Sequence, residues 1–179
     1  MQVVPYETIY ADLIAALLNE YLPFEPETAE TVEQAEGIRY VYLDDNKQVV
    51  GYIAGYHIQE FTKDFPYFET LLLPLHATIA NGPSIYTSHF VVHPAYRKQG
   101  IGTQLVAAFM EAAQATADTI IVVGWVQSDT NIWKAEQLFM KYGFEQAAFI
   151  PRYFEPFKVY CPSCQGMCYC DANILVKHV

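Results

Sequence analysis

The sequence predicts a mixed α/β domain, and three observations predict it. The chain has 179 residues, 53% of them apolar and 17% charged. That is enough material for a sizeable core and too little charge for disorder. Runs rich in β-branched and aromatic residues alternate with runs of helical periodicity. Residues 84–116 contain the whole transition in one stretch: strand, glycine turn, helix.

The other elements are arranged around that stretch. Ile85, Tyr86, Phe90, Val91 and Val92 read as a strand, and Pro94, which has no N–H for a ladder, closes it. The turn Arg97-Lys98-Gln99-Gly100-Ile101-Gly102 follows. Ile101, Leu105, Ala108, Phe109, Ala112 and Ala113 then recur on one helical face. The first amides of a helix lack intrahelical acceptors, and the helix dipole makes that end positive. Two glycines permit a close approach, and Arg97 and Lys98 add full charges, so the turn suits a pyrophosphate. It lacks the Lys-Ser/Thr of a P-loop and the third glycine of a dinucleotide fingerprint. Taken alone, a G-x-G also describes a plain tight turn.

The first helix is predicted from Ile9, Leu13, Ala16, Leu17 and Tyr21, with Pro23 beyond its end. A second, acidic helix is predicted over Pro26 to Glu36. Arg39 to Leu43 and Gln48 to Ile58 read as strands around the turn Asp44-Asp45-Asn46. Residues 60–83 carry Pro66, Pro74, Gly82 and Pro83 around Leu71-Leu72-Leu73. So long a loop without structure is uncommon, so a short helix or strand is expected within it. That segment either lines an acceptor pocket or covers the core. Thr119 to Val126 reads as a buried strand interrupted at Gly124 and Trp125. A helix over Asn131 to Tyr142 follows, with Ile132, Ala135, Leu138, Phe139 and Tyr142 on its apolar face. Asp129 or Thr130 is expected to cap it and Gly143 to end it.

The formal charge of −10 makes nucleic acid and an anionic membrane poor partners and would steer a cationic amine favourably. Met1 to Glu7 lacks the build of a signal peptide, and no apolar run is long enough to span a bilayer, so a cytoplasmic location is expected. All four cysteines fall in the run Cys161-x-x-Cys164-x-x-x-Cys168-x-Cys170. Thiolates that close can wrap one tetrahedral ion, and a structural Zn²⁺ on Cys161, Cys164, Cys168 and Cys170 is the expectation. Unmetallated or redox-active thiols are the alternative, and an iron–sulfur cluster demands more room.

The pattern Phe90-Val91-Val92-His93-Pro94-x-Tyr96-Arg97-x-x-Gly100-x-Gly102 resembles the acetyl-CoA-binding motif of the GNAT N-acetyltransferase superfamily. Lys141-Tyr142-Gly143-Phe144-Glu145 resembles the segment that follows in that family. The resemblance implies one domain over residues 1–179: a GNAT-type mixed α/β (α+β) fold with a mostly antiparallel central sheet flanked by helices. The cysteines would then lie in a hairpin at 161–170, joining the last two strands. It implies acetyl transfer from acetyl-CoA to a small-molecule or peptide amine, by direct attack in a ternary complex. A homodimer is compatible with it.

For the cosubstrate, the resemblance implies Phe90, Val91, Val92, Arg97, Lys98, Gln99, Gly100, Ile101, Gly102, Thr103 and Asn131. Oxyanion donors would lie around Phe90 to Val92, and the pantetheine would enter where this strand splays from the next. Tyr86 and Ser88 match positions where family bases often sit, although neither is a carboxylate. His89 has a suitable pKa but the opposite strand parity unless the strand bulges, and His93 belongs to the turn. Phe139 stands where many members carry a tyrosine that protonates the leaving thiolate. Two alternatives follow: a non-catalytic acyl-CoA-binding module, or a metal- or redox-sensing protein on a GNAT scaffold.

Overall fold

Seven strands form one sheet, in the order β1-β2-β3-β4-β5-β9-β6. The computed structural model describes residues 1–22, 26–58, 82–161 and 164–179. The strands are β1 (Gln2–Pro5), β2 (Ile38–Leu43), β3 (Val49–His57), β4 (Ser84–Val92), β5 (Thr119–Val126), β6 (Glu145–Ile150) and β9 (Asp171–His178). The helices are α1 (Ala11–Tyr21), α2 (Ala29–Gln34), α3 (Ile101–Gln114) and α4 (Glu136–Lys141). A separate two-stranded ribbon pairs β7 (Tyr160–Cys161) with β8 (Gly166–Met167). The pairs β1–β2, β2–β3, β5–β9 and β6–β9 are antiparallel, and β4–β5 is parallel over Ser84–Thr87 and Thr119–Val122. The sheet is thus mostly antiparallel, as expected. The expectation for residues 60–83 falls largely outside the described residues, as does Pro23.

The chain groups into two units. One comprises Met1–Tyr56 with Ser88–Ala112, the other His57–Thr87 with Ala113–Val179. In the first, α1 buries Ala11, Ile14, Ala15, Leu17 and Leu18 in a cluster with Val41, Leu43, Tyr52, Ala54 and Val91. The face differs from the expected one, because Ile9 is 73% exposed and Ala16 is exposed too. Thr8–Tyr10 form a 3-10 turn, whose three-residue period shifts the phase before α1 begins. The second helix is shorter than Pro26 to Glu36. Thr28 and Thr31 each accept the other's backbone N–H, so the cap fixes the start at Ala29. On α3, Ile101, Leu105, Phe109 and Ala113 are buried as the periodicity predicts. Gly51 on β3 admits that helix closely: a Cβ there would lie 2.9 Å from Leu105 Cδ1 and 3.3 Å from Ile101 Cγ2.

In the second unit, β5 pairs with β9 without a break from Thr119↔His178 to Val126↔Asp171. The expected interruption at Gly124 and Trp125 is therefore absent. Gly124 has another role. A Cβ there would come within 2.1 Å of the Trp133 ring, which itself stacks on Phe139 at 5.6 Å. The helix expected over Asn131 to Tyr142 starts later, at Glu136. Gln127 N–H donates to Ile132 C=O, Asn131 N–H donates to Gln127 C=O, and Asn131 sits at φ 54. That left-handed residue cannot continue a right-handed helix, so neither Asp129 nor Thr130 is the cap, and Ala135 takes that place. Gly143, at φ +81, ends the helix as expected. Among the described residues no helix is long and apolar enough to cross a membrane.

Gly124→Ala should lower the melting temperature, because its methyl overlaps the Trp133 indole. Overpacking of this kind costs about 1–3 kcal/mol, and each kcal/mol moves the transition by about 2–4 °C at this chain length. A scanning calorimetry trace that matches wild type would contradict this packing.

Candidate functional site

Two backbone bonds bracket the pairing of β3 with β4. Ile58 N–H donates to Ser84 C=O at 2.9 Å, and His93 N–H donates to Val50 C=O at 2.9 Å. Between them the chain advances eight residues on the β3 side, from 50 to 58 just past its end, and nine on the β4 side, from 84 to 93 just past its end. One extra residue on one strand is the mark of a β-bulge. Within that interval Ser88, His89 and Phe90 are all half-buried in succession. In a regular strand Ser88 and His89 would point to opposite faces. Here His89 Nδ1 lies 3.1 Å from Ser88 Oγ, so strand parity does not separate them.

A short chain of polar groups follows from that contact. Ser88 Oγ donates to the Ala54 carbonyl at 3.3 Å. A hydroxyl has one proton, so with it spent there, His89 Nδ1–H is the donor to Ser88. The neutral imidazole then carries its lone pair on Nε2. That atom faces Glu27 Oε1 at 3.7 Å. Burial pushes the His89 pKa below its ordinary 6.5, with the nearby Glu27 charge opposing in part. His89 is therefore neutral at pH 7 and able to accept a proton.

Glu27 is itself held in place. The Asn19 side chain, on α1, donates to the Glu27 carbonyl and accepts its N–H, both at 2.8 Å. Thr31 Oγ1 donates to Glu27 Oε2 at 2.6 Å. One carboxylate oxygen is thus fixed by α2 while the other faces His89. In sequence, Glu27 is one acid among several in the helix expected over Pro26 to Glu36. The signal that could have distinguished it is the Thr28-x-x-Thr31 capping pair, which leaves Glu27 outside the helix.

The turn after β4 is held from both sides. Pro94–Tyr96 form a 3-10 turn, with Ala95 N–H donating to His93 Nδ1. His93 packs edge-on against Tyr21 and Tyr96 and so belongs to the turn, as expected. Tyr96 OH donates to Asp44 Oδ2 at 3.0 Å, while Asp44 Oδ1 accepts the N–H groups of Asn46 and Gln48. The Gln48 amide first, then Tyr96 and Asn46, hold the Asp44 carboxyl below its usual range despite its burial. Arg97 Nε donates back to the Val92 carbonyl at 2.9 Å. Lys98 at φ 63 and Gly100 at φ 81 then curl the backbone into α3, whose ladder begins with Gln104 N–H onto Gly100 C=O. Left-handed residues in such a turn aim backbone N–H groups toward one concavity. Among the described residues nothing lies within 4 Å of the place a Gly100 Cβ would take. The approach to the helix start is open.

The structure gathers most of the predicted residues here and leaves some elsewhere. Arg97, Lys98, Gln99, Gly100 and Thr103 are exposed, Phe90, Val92 and Gly102 are half-buried, and Val91 and Ile101 are buried core. Ser88 and His89 share their unit with this turn. Tyr86 belongs to the second unit, paired with Ile121 of β5. Asn131 is exposed in that same second unit.

Two further features lie in the second unit. Phe139 is 1% exposed and meets Phe144 edge-on at 5.3 Å as well as Trp133. It is a packing residue with no proton to donate. The four cysteine sulfurs all lie within 4.8 Å of one another, and none is in a disulfide. Burial pushes the Cys161 thiol up to about 11 and the Cys168 thiol higher still, while the Ser128 hydroxyl and the Tyr169 amide outweigh burial at Cys164 and lower it.

A family model described as an acetyltransferase (GNAT) domain matches residues 36–146, more than half of the chain. No curated protein sequence matches significantly. Among solved structures, NAA60 of Arabidopsis thaliana in complex with acetyl-CoA is similar, with a TM-score of 0.69 and 11% identity over 99% of this chain and 98% of that one. A ribosomal-protein-alanine N-acetyltransferase from Brucella melitensis has a TM-score of 0.68 and 16% identity over 100% of both chains. The aminoglycoside 6'-N-acetyltransferase from Enterococcus faecium has a TM-score of 0.63 and 16% identity over 99% of this chain and 97% of that one. At such identities these likenesses speak for the fold. The family model goes further: the chain belongs to the GNAT acetyltransferase family and is an acyltransferase of that family.

Proposed function

We propose that the protein transfers an acetyl group from acetyl-CoA to an amine acceptor by direct attack, with His89 as the general base. The observation that carries this reading is the bulged stretch of β4. It brings Ser88, His89 and Glu27 together in the same unit as the open turn at Gly100. Acetyl-CoA pyrophosphate is assigned to the amides and charges of Arg97 to Thr103, with Phe90 to Val92 beside the thioester as oxyanion donors. The family resemblance implies Tyr86 as a candidate base and Asn131 as a cosubstrate residue; both belong to the second unit, and this reading gives neither a role.

The reaction balances as follows. The acceptor nitrogen attacks the thioester carbonyl carbon, and the nitrogen's surplus proton passes to His89 Nε2. The tetrahedral intermediate collapses with cleavage of the C–S bond, and CoA leaves as thiolate. Protonation creates an imidazolium facing the Glu27 carboxylate, which stabilises it. No dedicated acid is required, since a free thiol ionises at roughly pH 8.5, and Phe139 supplies none. Phe139 is also the observation that would suit a non-catalytic acyl-CoA-binding module, and turnover separates the two readings. The acceptor is a small molecule or a peptide amine, and the net charge of −10 favours a cationic one. We place the reaction in the cytoplasm, where four neighbouring cysteines stay reduced. In the same reading Cys161, Cys164, Cys168 and Cys170 hold a structural Zn²⁺ that takes no part in acyl transfer.

Gly100→Asp places a carboxylate where the diphosphate would sit and strains a position at φ +81. Calorimetric titration with acetyl-CoA should show affinity lost by tenfold or more, roughly the cost of one charged hydrogen bond reversed. Undiminished affinity in the folded variant would remove the cosubstrate from this turn.

Loss of a general base costs about 10²–10⁴ in rate, so His89→Gln should lower kcat by that factor while acetyl-CoA still binds. The pH profile carries a sign. Because the folded pKa lies below 6.5, the acid limb of kcat/KM should fall below pH 6.5. Glu27 raises that pKa, so Glu27→Gln should move the limb to still lower pH. A limb that stays in place in Glu27→Gln, or full turnover in His89→Gln, would reject the assignment.

A further inference from the structure

The segment around the cysteines is inside-out for a packed hairpin. Tyr160, Met167 and Tyr169 are 60%, 57% and 46% exposed, while Cys161, Cys168 and Cys170 are fully buried. Strands β7 and β8 have two residues each. A ribbon that short does not offset its own ordering entropy, and its large apolar side chains face solvent. What it buries is sulfur.

The sulfur geometry fits one ion. Cys161 and Cys170 Sγ are 3.8 Å apart, Cys164 and Cys170 Sγ 3.5 Å. Four thiolates at about 2.3 Å around a tetrahedral zinc stand about 3.8 Å from one another. A sulfide-bridged iron cluster spreads its ligands over several irons and needs a wider cage. Of single ions, zinc binds more tightly than ferrous iron in the usual divalent order. The sulfurs also receive a donor suited to negative charge. Cys164 N–H donates to Cys161 Sγ at 3.4 Å. All four positions come from the chain, so the site is closed and structural, with no coordination left for a substrate.

The fourth ligand reaches outside the run. Ser128 Oγ lies 3.2 Å from Cys164 Sγ. Ser128 belongs to the exposed turn 127–132, which has its left-handed Asn131 and an Ile132 that is 54% exposed. A turn with so little buried apolar surface opens readily unless tethered.

Resting on the zinc reading above, we propose that a Zn²⁺ on the four thiolates fastens segment 160–170 to the turn after β5, through the Ser128–Cys164 contact. The ion thereby holds the turn that carries Asn131. An ionised, metal-bound sulfur is a stronger acceptor for the Ser128 hydroxyl than a thiol is, so metal occupancy and turn order are linked.

The test uses the full chain purified without chelator. Elemental analysis should give about one zinc per chain. Hydrogen exchange, followed by mass spectrometry with and without zinc, should show the Gln127 and Asn131 amides exchanging about tenfold faster in the stripped protein, the net worth of roughly one hydrogen bond. Ser128→Ala should retain zinc and reproduce that acceleration without chelator. Exchange in residues 97–104 should not change. Zinc present with unaltered exchange at 127–132 would overturn the fastener and leave the zinc reading standing. Iron in place of zinc, or no metal with four freely titrating thiols in the folded chain, would overturn the zinc site itself. Neither result bears on acetyl-CoA binding at Gly100, which is measured separately.

Discussion

The proposed chemistry rests on one surplus residue on the β4 side of its pairing with β3. Between the two bracketing bonds the chain spends eight residues on the β3 side and nine on the β4 side. A bulge disturbs pleat alternation and local twist. Within the bracketed stretch the adjacent residues Ser88 and His89 are bonded partners. Once Ser88 gives its proton to the Ala54 carbonyl, the imidazole tautomer is fixed and Nε2 is left to face Glu27. The remaining parts of the constellation serve to hold that geometry. Asn19 fixes the Glu27 backbone, and Thr31 occupies the second carboxylate oxygen.

The same strand leads directly into the turn at Gly100, and a different carboxylate secures that end. Asp44 is nearly buried and satisfies two backbone amides of its own hairpin and the Tyr96 hydroxyl. A buried carboxylate with several donors is stable only in its charged form. It therefore ties the β2–β3 hairpin to the start of the turn. In a chain of net charge −10, Arg97 and Lys98 are a local basic exception.

Local features were legible in the sequence, and long-range ones were not. The strand–turn–helix unit around Gly100 was readable because its signals are all close in sequence: a proline after an apolar run, two glycines, then helical spacing from Ile101. The cysteine run was readable for the same reason. Helix phases failed where a short irregular turn precedes the helix, as with the 3-10 turn before α1 and left-handed Asn131 before α4. Periodicity counts residues and cannot see a change of backbone hand. The bulge entered only as a condition on His89, because it is a mismatch between β3 and β4, strands set apart by a long intervening segment. Glu27 was missed because its partner His89 is remote in sequence. Gly124 was read as a strand break, whereas it is the gap that admits the Trp133 ring.

The central claim is that the helix start after Gly100 receives the diphosphate of acetyl-CoA. The most direct test titrates acetyl-CoA into isotope-labelled full-length protein and follows each backbone amide resonance. The account predicts saturable shifts that begin at and are largest for residues 97–104, with the amides of the cysteine segment unmoved. Saturable binding that leaves the Gly100 to Thr103 amides unshifted, or no binding at all, would contradict it.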